Sequence, residues 1–295
     1  MEAIEQTLRT FLKPLTSNLP KPIEQAATEL LGESCYRSLV RDLTITDSVC
    51  LKLAVSKALG VVIIAASSIV KVPQLLKLLN SQSAEGISFL SYLLETASYI
   101  IGLAYNARNG FPFSTYGETA LIAVQNIAIS VLVLRYSGQT AGAVVFLAGL
   151  GAAGYSLFSD SVVSMSVLQL LQAGAGLLSI SSKLPQIIAI FQQGGTGQLS
   201  AFAVFNYLLG SLTRIFTTLT EVDDPLILYG FIAGFALNAV LALQMVFYWN
   251  APASKGTEAK KLTPAGKEAI KAPNGSAKSS GAEKSKSSPS TRRRG

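Results

Sequence analysis

Four long stretches of this chain contain no Asp, Glu, Lys or Arg: those between Arg135 and Asp160, Asp160 and Lys183, Lys183 and Arg214, and Asp224 and Lys255. Hydrocarbon supplies no hydrogen-bonding partner, so a segment that crosses it as a helix must satisfy its backbone internally and needs about 20 mainly apolar residues. Each stretch is long enough. Three more apolar segments carry only isolated polar or charged residues: Ala54 to Leu76, Ser88 to Tyr105 and Gly117 to Tyr136. The pattern predicts an all-α membrane protein of seven transmembrane helices, the last four at Gln139 to Phe158, Val162 to Phe191, Ser200 to Leu219 and Pro225 to Trp249.

Charge is segregated along the 295 residues. Residues 1–53 hold 6 basic and 7 acidic side chains, residues 54–254 hold 7 and 7, and residues 255–295 hold 11 and 3. The net +7 therefore comes from the tail, and no nucleic-acid face is implied. The tail is poor in apolar groups and is expected to be a disordered basic appendix from residue 251. The absence of His and the presence of only two Cys exclude imidazole acid–base chemistry, a Ser-His-Asp triad and His/Cys metal sites. Neither an enzyme nor a cofactor is expected. The first 50 residues lack a basic start followed by an apolar core, so no cleavable signal peptide is expected.

An internal repeat organises the spans. Lys71-Val72-Pro73-Gln74 matches Lys183-Leu184-Pro185-Gln186 at an offset of 112, each after a Ser-rich turn, and the same offset places Asn126 on Asn238. Two three-span units, residues 54–136 and 162–250, follow an N-terminal segment at 1–53. A single span at 137–161 separates them and gives both units the same orientation, a parallel repeat about an axis along the membrane normal. Pro73 and Pro185, with Gln74 and Gln186, are predicted near the ends of their spans as paired hinges, since proline removes a backbone donor and bends or breaks a helix.

Polar side chains are costly within a bilayer. Glu95, Glu118, Gln125, Asn126, Asn206, Arg214 and Asn238 are thus candidates for an inward path, against the alternative of interhelical hydrogen bonding. Gly149, Gly151, Gly174 and Gly176 are expected to allow close helix approach.

The duplicated Lys-x-Pro-Gln in a three-one-three arrangement resembles the PQ-loop family, to which the SWEET sugar carriers, cystinosin and the KDEL receptor are related. Within it, residues 35–251 resemble the mannose-phosphate-dolichol utilization defect branch. That match rests on Gln82 to Ser88, Phe111-Pro112-Phe113-Ser114 with Gly117-Glu118, Thr196 to Ser200, Gly210-Ser211 with Arg214 to Thr217, Glu221 with Asp224-Pro225-Leu226, and Phe247 to Asn250. The resemblance implies an endoplasmic reticulum membrane protein needed for use of dolichol-phosphate-mannose, and by extension dolichol-phosphate-glucose, in N-glycan and GPI-anchor synthesis. Three roles stay open: a carrier of the lipid-linked sugar, a non-transporting adaptor of the glycosyltransferases that consume it, and a small-solute transporter.

Lys255, Lys260 and Lys261 follow the last span, so the positive-inside rule predicts a cytosolic C-terminus and, with seven spans, a lumenal N-terminus; Lys52 and Lys57 oppose this orientation. A lumenal N-terminus would put Cys35 and Cys50 in an oxidising compartment, where they form either a disulfide or two free thiols. Lys71, Lys183 and Arg214 are expected to face one pathway and meet the phosphodiester of a dolichol-linked sugar, with Asn126, Asn238, Glu95 and Glu118 beside them. The alternative is that both lysines snorkel to headgroups.

Overall fold

The structure is a computed structural model that describes residues 12–14, 16, 18–196 and 201–249. The expected basic tail and the stretch from Gly197 to Ser200 lie outside the described residues. Among the described residues there is no β-strand.

The amphipathic helix α1 (Lys21–Leu31) leads through α2 (Glu33–Tyr36) and a π-helical turn, Arg37–Arg41, to the first long helix, α3 (Ser48–Ser67). Asp47 starts α3 by accepting the Cys50 N–H at 3.1 Å. Cys35 and Cys50 are disulfide-bonded, which ties α2 to the first turn of α3.

After Ser67 the chain passes through a turn into α4 (Val72–Ser81), with Pro73 in its first turn. The sequence reading has one continuous span here and puts the proline near its end; instead the helix is interrupted at residues 68–71 and Pro73 opens the second segment. A proline ring would clash with the carbonyl four residues back and has no N–H to give, so the helix restarts at the proline rather than running through it. Gln125 satisfies part of the break: its side-chain oxygen accepts the Lys71 N–H at 2.9 Å and its amide donates to the Ser67 carbonyl at 2.9 Å.

The first unit continues with α5 (Phe89–Arg108), a 3-10 turn at Phe113–Thr115 and α6 (Gly117–Tyr136); α7 (Thr140–Phe158) packs on α5 and α6. The second unit repeats the plan with α8 (Met165–Ser181), α9 (Leu184–Gln193), α10 (Ala201–Glu221) and α11 (Pro225–Phe247), whose start is capped by Asp224 accepting the Ile227 N–H at 2.9 Å.

In each unit the third long helix sits between the first and second. Thus α6 contacts both α3 and α5, and α11 contacts both α8 and α10. The units meet along two equivalent seams, α3 on α10 and α5 on α8.

Among the described residues, five helical segments are long and apolar enough to cross a membrane: Ser48–Ser81, Gly117–Tyr136, Thr140–Phe158, Met165–Gln192 and Pro225–Phe247. The second helix of each unit, α5 and α10, has the length but a more polar composition: Glu95 and Arg214 pair with charges on other elements, while Asn106 and Asn206 donate to carbonyls four residues back in their own helices. Large apolar side chains remain exposed around the bundle, among them Val145, Leu170, Phe202 and Phe247, as expected of a lipid-facing surface.

The small-residue reading is corrected at four positions. A Cβ on Gly149, Gly151, Gly174 or Gly176 would meet nothing within 4 Å. Close approach occurs at Gly60, where a Cβ would stand 2.5 Å from the Ser114 carbonyl oxygen, and at Gly117, where it would stand 2.6 Å from the Phe113 ring.

Candidate functional site

A cavity of about 770 Å3 lies between α5, α8, α10 and α11, with the start of α6 at one end. That is within the size range of small-molecule sites, and its wall is mixed, with Tyr99, Gln172, Asn206, Tyr207 and Ser211 set among apolar and glycine positions. Among the described residues, three charged side chains line it: Glu118, Lys183 and Arg214.

Lys183 lies in the second helix break, directly before α9, and Pro185 fixes where α9 begins. Its ammonium donates to the Asn238 side-chain oxygen and lies 5.6 Å from the centroid of the Tyr207 ring. Asn238 is buried and oriented by its own amide, which donates to the Tyr207 carbonyl and to the Ser211 hydroxyl, both at 3.1 Å.

Lys71, its repeat partner, has a different setting. Its ammonium contacts both oxygens of Glu95, at 2.9 and 3.1 Å, and lies 5.2 Å from the Tyr92 ring centroid. Tyr99 donates to the same carboxylate at 2.8 Å. Neither Lys71 nor Glu95 lines the cavity, whereas Lys183, which the sequence places with Lys71 on one pathway, does. The two lysines have different partners because the repeat does not keep one neighbour: Tyr207 stands in the second unit where Glu95 stands in the first. Asn126 is fully buried on α6 and also lies outside the cavity wall. Of the hinge residues, Pro73 and Pro185 open their helices on the exposed side, Gln74 is half-buried and Gln186 is exposed.

Arg214 and Glu118 form a buried ion pair across the units, and Arg214 also donates to the Thr115 carbonyl at 3.0 Å. Nearby, Lys57 meets Glu221 at 2.6 Å, with side chains 11% and 1% exposed. The Ser56 and Ser114 hydroxyls donate to Glu221, the latter at 2.8 Å, and Lys57 donates to Ser114 at 3.0 Å. All of these groups lie toward the end of the bundle where α6 starts and α10 finishes. Gly60 allows this assembly, because only a residue without Cβ lets α3 reach the Ser114 backbone.

The sequence pattern does not single out Lys57, Ser56 and Gly60 as a cross-unit network, although a lysine nine residues into an apolar helix is itself a signal of a buried anionic partner. The equivalent seam, α5 on α8, carries no such charge: 112 residues from Lys57 and Glu221 stand Gln169 and Asn109. The end of α5 is instead fixed by Tyr105 donating to Asp224 at 2.6 Å and by Arg108, which pairs with Asp160 and donates to the Leu157 and Val163 carbonyls.

Comparison with known proteins finds the PQ loop repeat twice in this chain, over residues 55–115 and 167–227. Solute carrier family 66 member 3 of Homo sapiens is 27% identical over 178 residues, which are 60% of this chain and 86% of that protein. No solved structure matches.

Proposed function

We propose that this PQ loop repeat membrane protein, related to the family 66 solute carriers, is a seven-span carrier of the alternating-access kind whose cargo is a dolichol-phosphate-linked sugar. The observation that carries the reading is the cavity between the two units, which has Lys183 and the Arg214–Glu118 pair in its wall. Two like units meeting on two equivalent seams can rock against each other, and such motion opens a central site to one side at a time. A cavity of this size takes a sugar phosphate, while a polyprenyl chain would stay in lipid beyond the bundle.

In this reading α5 and α10 complete the seven spans, and α7 is the span that sets the two units parallel. The C-terminus is cytosolic and the disulfide is lumenal, in the membrane of the endoplasmic reticulum. The end of the cavity that holds the Arg214–Glu118 pair then faces the lumen. Transport of a small soluble polar solute is the second reading, favoured by the printed name of the human relative.

The test is loss of the protein from cells. The lipid-linked-sugar reading expects underglycosylated glycoproteins and reduced GPI anchoring, both restored by re-expression. Normal glycosylation and anchoring after complete loss would contradict it.

A further inference from the structure

Lys183 and Lys71 stand at equivalent places, but their electrostatic surroundings differ by one full charge. Lys71 is balanced by Glu95. Among the described residues no carboxylate reaches Lys183, whose contacts are the Asn238 side-chain oxygen and the face of Tyr207. A dipole and a ring offset part of the cost of holding an ammonium away from bulk water, but not its charge.

The rest of the cavity wall does not supply the missing charge. Of its three charged residues, Arg214 and Glu118 neutralise each other, which leaves a wall of net +1 centred on Lys183. Asn238 fixes its side-chain oxygen toward Lys183 by donating its amide to Tyr207 and Ser211, and that oxygen accepts one of the three ammonium N–H groups. Among the described residues no second acceptor bonds the ammonium, which leaves two donors for a ligand.

We infer that Lys183, positioned by Asn238 and Tyr207, is the subsite for one negative charge on the cavity's ligand, the charge state of a phosphodiester. The inference rests on the carrier reading and assigns the residue that meets the cargo's anion. A neutral sugar would leave Lys183 uncompensated, and a phosphate monoester, with about −1.5 to −2 at pH 7, would bring an excess charge into a region of low dielectric. Recognition is one-sided: the second unit binds the anion, and the first has closed its own lysine with an internal carboxylate.

The test uses the full chain purified in detergent and isothermal titration with three soluble probes: mannose 1-(methyl phosphate), mannose 1-phosphate and methyl mannoside. The diester should bind most tightly. Lys183→Gln should weaken it about 10- to 100-fold, as expected for loss of a charged hydrogen bond. Lys183→Arg should retain it, which excludes misfolding as the cause, and Lys77→Gln, an exposed lysine on α4, should leave it unchanged. Equal binding of methyl mannoside, tighter binding of mannose 1-phosphate, absence of diester binding, or wild-type affinity in Lys183→Gln would each overturn the inference. Movement of the lipid across vesicles is measured separately, so a carrier that fails these binding criteria is distinguishable from a chain that does not transport.

Discussion

Glu95 and Tyr207 hold the same position in the two repeats, and this exchange of a carboxylate for a phenol separates a closed lysine from an available one. Symmetry builds the scaffold here, and departures from symmetry build the site. The same holds at the seams, where Lys57 and Glu221 form a charged clasp on one side and Gln169 and Asn109 stand at the matching positions on the other.

The clasp makes a prediction about stability. Removing one partner of a buried ion pair leaves an uncompensated charge and costs about 3–5 kcal/mol, whereas replacing both with apolar groups is often neutral. Lys57→Met should therefore lower the unfolding free energy by about that amount, and Lys57→Met combined with Glu221→Met should recover most of it. Denaturant titration in micelles reads both. Additive losses in the double variant would contradict a coupled pair.

Backbone packing at Gly60 gives a second. A methyl group there would press on the Ser114 carbonyl, which is backbone and cannot rotate away, so Gly60→Ala should cost about 1–3 kcal/mol. Gly149→Ala, with nothing within 4 Å, should shift stability by no more than about 0.5 kcal/mol. Thermal unfolding of the two variants side by side decides; equal midpoints would contradict the contact.

The all-helical membrane architecture was legible because uncharged runs and a fixed repeat offset are global signals. The polar second helices were harder, since groups such as Glu95 and Arg214 lower the apparent hydropathy of segments that turn them inward. The helix breaks were only half legible: proline announces an interruption, but which residue of α6 satisfies the freed backbone, Gln125, depends on packing between helices. The pairing of Lys183 with Asn238 and of Lys71 with Glu95 was likewise hidden, because a repeat offset gives equivalence within the pattern and not contact in space. The glycine reading failed because small residues allow close approach without requiring it.

A third prediction concerns acid. The Cys50 N–H and the Ser38 hydroxyl both donate to Asp47, which holds its carboxyl below the ordinary aspartate range. A carboxyl lowered on folding stabilises the folded state above its unfolded pKa of about 3.9, and that contribution disappears as pH falls through the lower folded value. Hydrogen exchange at the Cys50 amide should therefore accelerate on acidification below about pH 4, after correction for intrinsic exchange. Asp47→Asn should remove that pH dependence; an unchanged profile in the variant would contradict the cap.

The central claim is that the cavity between the repeats carries a lipid-linked sugar across a bilayer. Its most direct measurement is reconstitution of the purified chain into vesicles containing a short-chain mannosyl-phosphate-dolichol, with the accessible fraction of the lipid followed over time. Wild-type protein should accelerate the movement, Lys183→Gln should slow it markedly, and Lys77→Gln should match the wild-type rate. Vesicles holding folded protein that move the lipid no faster than protein-free vesicles would contradict it.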